Sequence, residues 1–107
     1  MKVIDDFGVK NQYVIRDIYQ DKTSFQSYNS LIAEFIEHPS CIKTLVLYQD
    51  FDYSSTTSKY LHKYLCNYVD ICIYEFIKKN VKELKEKQKL TYHHAFTEIS
   101  IIYKENE

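Results

Sequence analysis

His62 and Cys66 stand four residues apart, a spacing that stacks an imidazole and a thiol on one face of a helix and would supply two metal ligands. A structural site needs about four ligands, and no second pair of matching spacing accompanies them. His93 and His94 are adjacent; on a helix they would point about 100° apart, and they read as surface residues. Cys41, Cys66 and Cys72 show no C-x-x-C spacing and lie in no sequence context of a known thiol enzyme. A nucleophile also needs a neighbouring base and a third group to orient it, and the sequence names neither. With Gly8 the only glycine, a phosphate-cradling glycine loop is excluded. The residues thus nominate no catalytic side chain, no metal and no cofactor. The expectation is a protein that is not an enzyme and works by binding another macromolecule.

The elements that carry these residues follow from composition and periodicity. The 107 residues fit one domain, 1–107, and such a chain buries roughly two thirds of the surface exposed when unfolded. Hydrophobic residues at 45 % and charged residues at 27 % give a globular balance and exclude disorder. An odd cysteine count suits reduced thiols in a cytosol better than a disulfide framework. Acidic residues arrive at Asp5 and Asp6 with no apolar leader, and no later run approaches the ~20 apolar residues that span a bilayer. The expected setting is the cytoplasm, with no membrane partner.

Tyr13–Tyr19 and Thr23–Tyr28 are rich in β-branched and aromatic residues and flank the polar Gln20-Asp21-Lys22, which predicts a hairpin. Leu31–Ile36 and Thr44–Tyr48 flank His38-Pro39-Ser40, where proline sets a turn, and predict a second. Leu31, Ala33 and Phe35 would share one face. Leu45–Tyr48 is apolar on both faces, so that strand must be central or covered twice. The cluster from Asp52 to Thr57 offers hydrogen-bond acceptors to a first helical turn and precedes Tyr60, Leu61, Tyr64, Leu65 and Tyr68 at helical spacing. Asp52, Ser55, Thr56 and Thr57 read as its cap. Ile73, Phe76, Ile77, Val81 and Leu84 continue an amphipathic helix. The tail from Leu90 fits a short helix or an extended segment docked on the core. The expected fold class is therefore α+β: a four-stranded antiparallel sheet of two hairpins over residues about 12–49, followed by helices over about 56–67 and 70–88 packed on it.

Two motifs carry a resemblance. Phe25-Gln26-Ser27-Tyr28-Asn29-Ser30-Leu31-Ile32-Ala33 and the stretch Asp52-Tyr53-Ser54-Ser55-Thr56-Thr57-Ser58-Lys59-Tyr60-Leu61 resemble a group of small proteins carried by phages and prophages of low-GC Gram-positive bacteria. The second motif is the more specific, and together they cover residues 11–66. Phe51 and Tyr60 depart from the pattern, in which a Trp and a His are usual. The resemblance implies a phage or prophage context, where small accessory proteins inhibit host defence by binding, anti-CRISPR proteins among them. It implies no active site.

Two binding expectations follow. In the preferred one the chain inhibits a host protein complex such as a CRISPR effector nuclease, docking through the exposed ones among its 11 tyrosines and an acidic edge at Asp50, Asp52 and Tyr53, with Lys59 as a further contact. In the alternative, Lys78, Lys79, Lys82, Lys85 and Lys89 track a nucleic-acid backbone while tyrosines stack on bases. A net charge of −1 gives no global attraction to phosphate, and a lysine-bearing helix is ordinarily a solvated face. Homodimerisation through leftover apolar surface is an arrangement the residues leave open.

Overall fold

A computed structural model describes residues 2–37, 39 and 42–105, the first two by backbone only. Five strands come first: β1 (Lys2–Asp5), β2 (Gln12–Asp17), β3 (Lys22–Ser27), β4 (Ser30–Ile36) and β5 (Lys43–Tyr48). Three helices follow, α1 (Ser55–Tyr68), α2 (Ile73–Lys79) and α3 (Val81–Lys87), and then β6 (Lys89–His94) and β7 (Thr97–Lys104). The strands form one sheet in the order β1-β2-β3-β4-β5-β7-β6. Every neighbouring pair is antiparallel except β5 and β7, which run parallel. The α+β class and both hairpins stand, whereas the expected four strands become seven and the sheet is partly parallel. His38, Ser40 and Cys41 lie outside the described residues.

Each difference has a local cause. In the tail, the helical spacing of Ala95, Ile99 and Ile102 competes with a period of two that buries Ile99, Ile101 and Tyr103. The second pattern wins because β5, apolar on both faces, offers an open edge for β7. The helices and β6 supply the long crossover that a parallel pair requires. The expected helix over 70–88 is two helices. Asn80 donates from Nδ2 to the Phe76 carbonyl at 2.8 Å, competing for a backbone acceptor, and its backbone sits at φ −118°, ψ 19°. The helix expected near Thr56 begins at Ser55 and is capped by Ser54, whose Oγ accepts from the Thr57 amide at 3.1 Å. The cap thus lies inside the expected cluster from Asp52 to Thr57, at Ser54 and not at the four residues singled out within it.

The core lies between the helices and one face of the sheet. In register across that face run Val14, Phe25, Ala33, Leu47 and Tyr103, beside Phe35, Leu45, Ile101 and Leu90. Tyr60, Leu61, Tyr64, Leu65, Ile73, Ile77 and Leu84 meet them from the helices. Tyr64 is fully buried, stacks on Phe25 with centroids 5.7 Å apart, and donates its hydroxyl to the Thr23 carbonyl at 2.6 Å. Burial, with the Glu34 charge adding to it, pushes that hydroxyl far above the ordinary tyrosine range. The register shifts at Phe25/Gln26, so Gln26 pairs with Leu31 while Phe25 pairs with Ala33. This bulge turns Ile32 into the core beside Ala33 and leaves Leu31 exposed, which corrects the shared face expected of Leu31, Ala33 and Phe35. No helix among the described residues is long and apolar enough to cross a membrane.

Candidate functional site

The turn between β3 and β4 builds one wall of the largest described cleft. Tyr28, its first residue, has φ +55°, in the left-handed region that is an outlier for a bulky side chain. The surroundings hold it there: its amide donates to the Asn11 carbonyl at 2.6 Å, and its carbonyl accepts from Gln26 Nε2 at 2.8 Å. The ring is left 59 % exposed. Ahead of α1, the Tyr53 amide donates to the Asp50 carbonyl at 3.1 Å, and the Tyr53 ring stands 81 % exposed. Ser27, Tyr28, Ser30, Asp50, Tyr53 and Thr57 line the cleft of about 450 Å³ with Ile32. Ser27 is 4 % exposed, yet its hydroxyl has no partner among the described residues; neither has the buried Oε1 of Gln12, its register neighbour on β2. Leaving such a group unsatisfied costs about 1–3 kcal/mol. The Asp50 carboxylate joins no salt bridge among the described residues.

Of the residues singled out by sequence, Asp50 and Tyr53 meet in this cleft. Asp52 does not share it. Lys85 Nζ reaches both Asp52 carboxylate oxygens, at 3.2 and 2.9 Å, and lies 5.4 Å from the Phe51 ring centre and 5.9 Å from that of Tyr103. Two residues assigned by sequence to rival sites are therefore partners in one exposed ion pair. Lys59 is exposed on α1 and leans over the neighbouring Tyr60 ring at 5.4 Å. Lys78, Lys79 and Lys82 are exposed without ion pairs among the described residues, but the break at Asn80 divides them between two short helices. Lys78 also borders a second, more apolar cleft of about 210 Å³ beside Phe51, Leu61, Tyr74, Ile77 and Val81.

His62 and Cys66 do not act together: the imidazole stacks on Tyr74 at 4.2 Å, and the thiol approaches the Ile71 carbonyl at 3.9 Å. A different set meets at the α1–α2 connection. Cys72 Sγ lies 3.7 Å from His94 Nε2, and His94 Nδ1 lies 3.3 Å from Asp70 Oδ1. Asp70 Oδ2 accepts from the Tyr92 hydroxyl at 2.5 Å and from the Cys72 amide at 3.1 Å. Burial alone would raise the Asp70 carboxyl, but the hydrogen bonds from Tyr92, the Cys72 amide and His94 hold it below its ordinary value. The same carboxylate, after burial, pushes the Tyr92 hydroxyl upward. The ligand atoms of Asp70, Cys72 and His94 fall within 4.8 Å of one another, the spread of a candidate cation site. The imidazole, however, faces Asp70 with one nitrogen and Cys72 with the other, a chain of contacts and not a set converging on one point. Sequence reasoning missed this cluster because it placed His94 in an ambiguous tail; on a strand, Tyr92 and His94 are two apart and share a face.

The chain matches the family of unknown function (DUF8033) over residues 6–89 and belongs to it. That span contains the whole Tyr28–Tyr53 cleft and the lysine-bearing helices, which the two motifs alone left outside. No curated protein and no solved structure matches the chain.

Proposed function

We propose that this family member acts by binding a second protein, receiving a basic side chain of that partner in the cleft between Tyr28 and Tyr53 with Asp50 as counter-charge. The observation that carries the reading is one cleft lined by two aromatic rings held out to solvent and by a carboxylate, Asp50, that joins no salt bridge among the described residues. Aromatic faces attract cations, and an unpaired carboxylate adds charge. Arginine suits the set better than lysine, since its planar fork stacks on rings while donating several hydrogen bonds. The chain already uses this chemistry internally, where Lys85 lies over Phe51 and Tyr103 and pairs with Asp52.

The resemblance to phage and prophage accessory proteins supplies the partner class: a host defence complex in the cytoplasm, an effector nuclease of the anti-CRISPR target kind. Inhibition of target cleavage by a purified CRISPR effector, abolished by Tyr53→Ala with Asp50→Asn, supports this reading; equal inhibition by the variant overturns it. The exposed, unpaired Lys78, Lys79 and Lys82 favour a second reading, contact with a nucleic-acid backbone. Oligonucleotide affinity that falls steeply with salt and vanishes in a Lys78, Lys79 and Lys82 triple alanine variant would establish that instead.

A further inference from the structure

We infer that Cys72 is a thiol–disulfide exchange site in which His94 serves as base, Asp70 orients that base, and the co-reactant is a low-molecular-weight disulfide. Nothing in the binding reading uses this end of the molecule. A nucleophile within reach of a base, itself held by a third group, is the arrangement that activates a side chain for attack. An ionised Asp70 can only accept, so the His94 tautomer that fits these contacts carries its proton on Nδ1, which leaves the lone pair on Nε2, the nitrogen facing the Cys72 thiol. Asp70 is anchored in turn by the Tyr92 hydroxyl and the Cys72 amide, so the base has a fixed support rooted in the core residue Tyr92.

Access fits the same co-reactant. Cys72 is exposed and lines none of the described clefts, so a small flexible disulfide can approach in line while a substrate that needs a pocket cannot be held. In the exchange, His94 Nε2 takes the thiol proton as Cys72 Sγ attacks one sulfur of R–S–S–R. The Cys72 S–S–R bond forms while the R–S–S–R bond breaks, and the departing thiolate takes the proton back from the imidazolium, giving R–SH and neutral His94. One disulfide is lost and one gained, so no further oxidant is needed, and the mixed disulfide is a reversible cap.

The test exposes the folded full-length protein to oxidised glutathione near neutral pH and follows the mixed disulfide at each cysteine by peptide mass spectrometry. Cys66, half-buried with its thiol turned to the Ile71 carbonyl while His62 stacks on Tyr74, is the internal reference. Cys72 is expected to react faster than Cys66, and His94→Gln to slow it about tenfold, because an unassisted thiol is only a few per cent thiolate near neutrality. Asp70→Asn should slow it about threefold, the base being kept but misdirected. His93→Gln should leave the rate unchanged, since His93 pairs with Glu98 instead. A fold damaged by substitution would show as faster Cys66 reaction, and Asp70→Asn then decides. The inference is overturned if Cys72 keeps its rate in both variants, which would make exposure alone responsible. It is equally overturned if Cys66 matches Cys72 in the wild type, or if the wild type retains one equivalent of zinc that shields Cys72.

Discussion

The β3–β4 turn and the α1–α2 connection both gather polar side chains at the border of the core, and they satisfy hydrogen bonds in opposite ways. At the turn, Ser27 Oγ and Gln12 Oε1 are buried without partners among the described residues, Asp50 joins no salt bridge there, and Tyr28 sits in a strained backbone conformation. At the connection, Asp70 receives Tyr92, His94 and the Cys72 amide, and the chain of contacts ends at an exposed thiol. Unsatisfied groups gain from an external partner, and strain persists where surrounding structure enforces it. A closed network gains nothing from a ligand, so its one outlet is chemistry at its last member.

The contrast can be broken by substitutions that separate stability from binding. The largest effect is expected from Tyr53→Ala combined with Asp50→Asn: partner affinity should fall at least about thirtyfold, as at an interface hot spot. Thermal stability should stay put, because Tyr53 is exposed; a matching fall in both would make the cleft structural. At the other end, Asp70→Asn should cost about 2 kcal/mol by urea unfolding near neutrality, since it removes the charged acceptor of three donors. The sign with pH follows from the lowered Asp70 pKa. Its contribution is complete above the unfolded carboxyl value of 3.8 and disappears as pH falls through the lower folded value, so wild type and variant should converge in acid.

Three smaller effects sharpen the comparison. Tyr92→Phe deletes a buried hydroxyl that donates to a carboxylate and should cost about 1.5 kcal/mol. Tyr28→Gly should raise stability by up to about 1 kcal/mol by relieving the left-handed strain, while weakening the partner's binding. Ser27→Ala deletes a buried hydroxyl that bonds nothing among the described residues and with it the penalty of leaving it unsatisfied, so stability should rise by about 1 kcal/mol. If Ser27→Ala costs as much as Tyr92→Phe, the two regions do not differ in the way described.

How much of this was legible in the sequence depends on whether a residue's role is set by near or distant neighbours. Both central hairpins and the start of α1 could be read, because alternation and capping are local. The β4 bulge could not: a register slip between Phe25 and Gln26 depends on the partner strand, and it exchanges Leu31 for Ile32 in the core. Nor could β7, whose place beside β5 is decided across the intervening helices. Asp50 and Tyr53 could be grouped from the sequence because they are close in it, and both line one cleft. Tyr28 and Ser27, which complete it, stood in the other motif and joined it only through the fold. Asp52 and Lys85, 33 residues apart, looked like members of two sites and are one ion pair. Asp70 and His94 required the tail to be read as a strand.

Amide chemical shifts of the full-length protein, recorded while a short arginine peptide and its neutral citrulline counterpart are added in turn, report on the cleft itself. Saturable shifts at Ser27, Tyr28, Asp50 and Tyr53 with arginine, and none with citrulline, are expected if the cleft receives a cation. Identical responses to both peptides, or shifts confined to Lys78, Lys79 and Lys82 on adding an oligonucleotide while the cleft stays silent to arginine, would contradict it.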